Sequence, residues 1–169
     1  MVWSGASPEL EEGVITEKQQ PNAPQPGPGG HPELEEGVTK GKQAVNIDIE
    51  GLNNMRFNLG EHRGEVVIVE FMTLWCPSCD AQIEEFKKVT EDTDVTIISI
   101  NVDVNLKPTE EWAAKKGIDW FVGDSPEAGL TYDVSDVPTI ILVDKQGIIR
   151  HRGGPKSASE LVILVGQYQ

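Results

Sequence analysis

The chain holds two cysteines, and they stand two residues apart in Cys76-Pro77-Ser78-Cys79. Upstream lies Val66-Val67-Ile68-Val69, a β-branched apolar run of the kind that forms a buried strand. Downstream, Ile83, Phe86 and Val89 recur among charged residues at the spacing of an amphipathic helix. The pair is therefore expected on a strand-to-helix turn. Pro77 falls near the first helical position, where a missing N–H costs nothing. At a helix N-terminus the unpaired N–H groups and the helix dipole stabilise a thiolate at Cys76. Cys79, one helical turn further on, is placed to attack a mixed disulfide formed at Cys76 and release the product. Such a pair cycles between dithiol and disulfide with no other cofactor.

Two other uses of the motif are weaker. Structural zinc needs two further ligands, and His31, His62 and His151 lie far apart without paired spacing. A purely structural disulfide closing so short a loop would stabilise little.

The 169 residues are enough for one domain with a core plus a tail. A net charge of −14 argues against nucleic acid or an anionic membrane surface as partner. Residues 1–20 show neither a basic start nor a long apolar run, so no signal peptide or membrane span is read there. A CxxC pair fits more than one compartment, and the setting stays open between cytoplasmic and one reached through a leader or anchor outside this sequence.

Residues 1–43 carry most of the prolines and no apolar periodicity. They are expected to form a disordered Pro/Gly/Glu-rich tail or tether. Within it Pro8-Glu9-Leu10-Glu11-Glu12-Gly13-Val14 recurs as Pro32-Glu33-Leu34-Glu35-Glu36-Gly37-Val38, too short a repeat for a solenoid. The folded domain is expected over 44–169. Strands are expected at 45–50, 56–59, 65–72, 95–102, 120–122, 139–143 and 148–152. Helices are expected at 77–91, 109–117 and 158–167, with a helical turn at 127–132. Thr109 caps the second helix and Gly117 stops it; Ser157 and Glu160 form a capping box for the last. The resulting order is an α/β chain with a central mixed β-sheet flanked by helices.

Trp75-Cys76-Pro77-Ser78-Cys79 after an apolar strand, followed by Val137-Pro138-Thr139 leading into a strand and hairpin, resembles the thioredoxin superfamily. The segments 46–59, Glu65-Val66-Val67 and Ile100-Asn101-Val102-Asp103 are most similar to its TlpA/ResA-like branch, which includes the cytochrome c maturation thioredoxins. The resemblance spans residues 44–169 and implies a thioredoxin-like fold. It makes Cys76 the attacking thiol, Cys79 the resolving thiol and Pro138 a cis-proline. It further implies that Trp75, Pro77, Val137 and Pro138 line the client site, with Val137 offering backbone groups to an extended substrate.

Glu70 is a carboxylate inside the apolar strand, on the face of Ile68 and Met72. The superfamily's proton-handling acid matches that position, and its usual lysine neighbour is matched by Ser99. Glu70 is accordingly expected to have a raised pKa and to move protons to and from Cys79. Gln82 stands where ResA-like members carry Glu, and Met72 where many carry an aromatic residue. Trp112 and Trp120 are read as packing residues.

The function implied is a protein-disulfide reductase acting through the Cys76–Cys79 dithiol, with no cofactor and no metal. Its partners would be protein thiol or disulfide clients and an electron donor such as a thioredoxin reductase or a membrane thiol transporter. The resemblance favours an extracytoplasmic, tethered monomer. Three rivals remain at this point. Thr73-x-x-Cys76 echoes the peroxiredoxin motif, although Val69 replaces its proline. A disulfide-forming oxidant would run the same chemistry in reverse. A CxxC metal-binding module would use the thiolates as soft ligands.

Overall fold

The computed structural model describes residues 34–169. Its centre is a five-stranded sheet in the order β7-β6-β5-β8-β9. The strands are β5 (Val67–Met72), β6 (Thr96–Asn101), β7 (Phe121–Asp124), β8 (Thr139–Val143) and β9 (Ile149–Gly153). β5 pairs in parallel with β6 and β6 with β7, while β8 runs antiparallel to both β5 and β9. The middle strand therefore delivers the cysteine motif from its C-terminal end. Every residue of β5 is buried, which its apolar run, interrupted at Glu70, anticipates.

The pleat sorts β5 into two faces. Val67, Val69 and Phe71 enter one core with Ile98, Ile100, Ile141 and Tyr132. Ile68 enters the other, with Phe86 and Val89 of α1 (Pro77–Asp92) and Leu161 and Val165 of α4 (Ala158–Gly166). α1 thus lies across the face that carries Glu70. Each fully buried apolar side chain of this kind contributes roughly 1.5–3 kcal/mol. Two shorter α-helices complete the described residues, α2 (Glu110–Lys116) and α3 (Pro126–Thr131). α2 is capped by the Thr109 side chain and ends at Gly117 in the left-handed region, as its punctuation foretells.

Two features differ from expectation. The early hairpin, β3 (Asp48–Glu50) with β4 (Arg56–Asn58), forms its own two-stranded sheet. It meets β7 through a Gly51–Gly123 bridge. There a Cβ on Gly123 would fall 2.6 Å from the Ile49 side chain, so glycine permits the close approach.

The second difference corrects the expected tail boundary. Residues 34–43 are ordered and belong to the domain, with β1 (Glu36–Gly37) pairing in parallel with β2 (Gln43–Ala44). The Gly41 N–H donates to the Ile149 carbonyl at 2.7 Å, and the Ile149 N–H donates to Lys42 at 2.9 Å. Arg152 donates to the Val38 carbonyl at 3.0 Å. This segment straps the outer edge of β9, satisfying backbone groups that an edge strand would otherwise leave open. The second copy of the heptad repeat contributes residues 34–38 to the strap. Its first copy, and the expectation of disorder for residues 1–33, lie outside the described residues.

Candidate active site

Cys76 is the N-cap of α1, and its Sγ accepts the Cys79 N–H at 3.1 Å. Pro77 follows in the first helical turn and is exposed. Cys76 and Cys79 are joined in a disulfide and are both buried. Ser78 Oγ lies 3.3 Å from Cys76 Sγ. In the dithiol form the same N–H and hydroxyl would face the attacking sulfur. The Val137 carbonyl oxygen stands 3.7 Å from Cys76 Sγ, and the Val137–Pro138 bond is cis. The turn after β5 and the loop before β8 thus converge on one sulfur.

Trp75 is 63% exposed beside the disulfide. Its indole N–H donates to Asp103 Oδ2 at 2.6 Å. The backbone N–H of Asn105, the Trp75 indole and the Leu106 N–H hold the Asp103 carboxyl below its ordinary range. Val104 and Leu106, in the same loop, are exposed. Beside the disulfide, exposed apolar side chains thus adjoin the Asp103 carboxylate. Met72, Leu74, Trp112 and Val137 pack behind the sulfurs.

Glu70 is fully buried. It lies opposite Ser99 on β6 and Ile140 on β8. Two residues along the same face, Met72 packs on Cys76 and Cys79. Burial is the main cause that pushes the Glu70 pKa up to about 8; the Ser99 hydrogen bond opposes this and the charge of Asp80 adds to it. Ser99 Oγ donates to Glu70 Oε2 at 2.6 Å, while Oε1 is buried without a partner among the described residues.

Sequence reasoning missed three contacts. Asp103 fixes the Trp75 ring across 28 residues of chain, a distance no spacing rule spans. Gln82 is buried and clamps the Lys156 backbone, donating to its carbonyl at 2.9 Å and accepting its N–H at 2.8 Å. Trp120 packs edge-on against Phe86, as a packing residue would, but its N–H also donates to Ser99 Oγ at 3.0 Å. Thr73 Oγ1, the hydroxyl of the peroxiredoxin-like motif, is buried and makes no hydrogen bond among the described residues, so it does not bond Cys76 Sγ. Among the described residues no group of three or more His, Cys, Asp or Glu is arranged to hold a metal ion.

The Redoxin family profile matches residues 39–160, more than half of the chain. The chain belongs to the Redoxin family. One curated relative, the thiol:disulfide interchange protein DsbE of Allochromatium vinosum, is 29% identical over 114 residues, covering 63% of this chain and 63% of that protein. The thiol-disulfide oxidoreductase ResA of Geobacillus kaustophilus is 26% identical over 112 residues, covering 63% and 64%. The chain thus matches a little under two thirds of the length of these relatives. Among solved structures, the thioredoxin domain of a thiol-disulfide oxidoreductase from Bacteroides vulgatus superposes with a TM-score of 0.65 at 20% identity, covering 78% of this chain and 99% of that one. StoA from Bacillus subtilis gives 0.60 at 20% identity, covering 70% and 95%. These likenesses establish the thioredoxin-like fold of this Redoxin domain, and the DsbE and ResA relatives bear out the resemblance to the TlpA/ResA-like branch.

Proposed function

We propose that the protein is a thiol–disulfide oxidoreductase that reduces protein disulfides through Cys76 and Cys79. The observation that carries this is the cysteine pair at the N-terminus of α1, with the Cys79 N–H on Cys76 Sγ at 3.1 Å. The names of the DsbE and ResA relatives support it. In the reduced protein the Cys76 thiolate attacks a client disulfide, forming a mixed disulfide and expelling one client thiolate. Cys79 then gives its proton to Glu70 and attacks Cys76 Sγ. The second client thiolate leaves, and two electrons have passed to the client. Trp75, Pro77, Val137 and Pro138 form the client-facing rim. An external dithiol protein, such as a thioredoxin reductase-fed donor or a membrane thiol transporter, restores the pair. An extracytoplasmic, tethered monomer is the setting favoured by the resemblance; among the described residues no helix is long and apolar enough to cross a membrane.

The test is trapping. Cys79→Ser should accumulate a mixed disulfide with a disulfide-bonded protein client, and Cys76→Ser should form none. The reduction potential of the wild-type pair sets the direction. A value near −270 mV fits a reductant, and one near −120 mV would make the protein an oxidant. Absence of both the trapped adduct and a two-electron transition would overturn the reading.

A further inference from the structure

Ser99 is buried on β6, directly opposite Glu70. Its oxygen lies 2.6 Å from Glu70 Oε2 and 3.0 Å from Trp120 Nε1. An indole N–H is a donor with no acceptor capacity. The Ser99 oxygen therefore accepts from Trp120. Its own proton has one acceptor within reach among the described residues, Glu70 Oε2. Turning the hydroxyl any other way strands a buried proton. Oε2 is thus held as an acceptor whether or not the carboxyl is ionised. Oε1 is the oxygen left without a partner.

We propose that Ser99 and Trp120 are positioning residues that hold the exchangeable proton of Glu70 on Oε1, leaving that oxygen to trade it with Cys79. The proposal rests on Glu70 handling the Cys79 proton. As Cys79 attacks the mixed disulfide, its S–H proton passes to Oε1, the sulfur lone pair forms the Cys76–Cys79 bond, and the client thiolate departs with the electron pair. The return of the proton accompanies reduction by the donor dithiol.

The surroundings leave this chain of hydrogen bonds in control. β8 presents Ile140, and α4 presents Leu161 and Val165 to the same face. α1 contributes Asp80, whose charge disfavours the carboxylate and which is itself paired with Lys116 of α2 at 2.8 Å. No cation on a neighbouring strand replaces Ser99, because its register partner on β7 is Val122. Ser99 is the group that lowers the proton affinity of Glu70. Its loss must raise that affinity. Loss of the Trp120 N–H must act the same way, since that N–H polarises the Ser99 hydroxyl and strengthens its donation to the carboxylate.

The experiment follows the full chain in its reduced form. Carboxyl infrared difference spectra and 13C-glutamate NMR give the Glu70 titration. The rate of reduction of a peptide disulfide is measured across the same pH range. Ser99→Ala should move the Glu70 inflection upward by about one pH unit, a tenfold change in proton affinity. It should also raise the C=O stretching frequency of the protonated acid, because Oε2 loses its donor. Trp120→Phe keeps an aromatic ring against Phe86 and should shift the inflection in the same direction. Ser99→Thr should restore both readouts. If Glu70→Gln removes the rate inflection but Ser99→Ala and Trp120→Phe leave the Glu70 titration and C=O band in place, the positioning role is overturned and the role of Glu70 stands. If Glu70→Gln leaves the rate inflection intact, the proton-handling role falls, and with it the trade with Cys79.

Discussion

Glu70 is a carboxyl with no exposed surface, one hydrogen-bonded oxygen and, among the described residues, no cation paired with it. Its pKa is raised from 4.5 to about 8, so across that interval the folded protein holds a proton that the unfolded chain has released. Stability then falls as pH rises through the interval. Urea unfolding should show a lower midpoint at pH 9 than at pH 6. Glu70→Gln should flatten this dependence and gain roughly 1–3 kcal/mol at pH 9. An unchanged slope in the variant would mean that Glu70 ionises freely. The position of this acid was legible in the sequence, because strand alternation alone puts residue 70 on the face of residues 68 and 72. The hydrogen bonds that govern it were not. Ser99 and Trp120 lie 21 residues apart and meet only once β6 and β7 are side by side. The same holds for Asp103 under Trp75, where the contact arises from two loops at the end of the sheet.

Helices and hairpins were more legible than their assembly, since their signals are local. The Asp144-Lys145-Gln146-Gly147 turn carries its own lock. Asp144 Oδ1 accepts the N–H groups of Gln146 and Ile148 at 2.9 Å, and Oδ2 accepts from Arg150 at 2.6 Å. The Ser157–Glu160 capping box forms as its spacing implies. Ser157→Ala should cost about 1 kcal/mol in a denaturant titration, the usual loss for a cap. The sheet order was not readable, because nothing local tells the 46–59 hairpin to leave the central sheet or β8 to lie beside β5. The Gln82 clamp shows why such choices matter. It joins the first turns of α1 to the loop that starts α4, and so steadies the helix that carries both sulfurs. Gln82→Leu leaves the Lys156 N–H and carbonyl unmatched and should cost roughly 1–3 kcal/mol by the same titration. A shift in reduction potential should accompany it if α1 loosens.

At the scale of the molecule, the two outer strands of the sheet are guarded differently. β7 is met by the hairpin through the Gly51–Gly123 bridge, and β9 by the strap of residues 34–44. Deleting residues 1–43 should lower the melting temperature and produce concentration-dependent association, read by calorimetry and sedimentation, because an open β9 edge invites pairing with a second chain. A truncated protein that stays monomeric with an unchanged melting temperature would show the strap to be dispensable. The strap also bears on how the protein is made. Its residues leave the ribosome early, yet Ile149, the residue they grip, is translated more than a hundred positions later. A chain still in synthesis cannot close that contact, so the first part of the domain to emerge is among the last to be fastened.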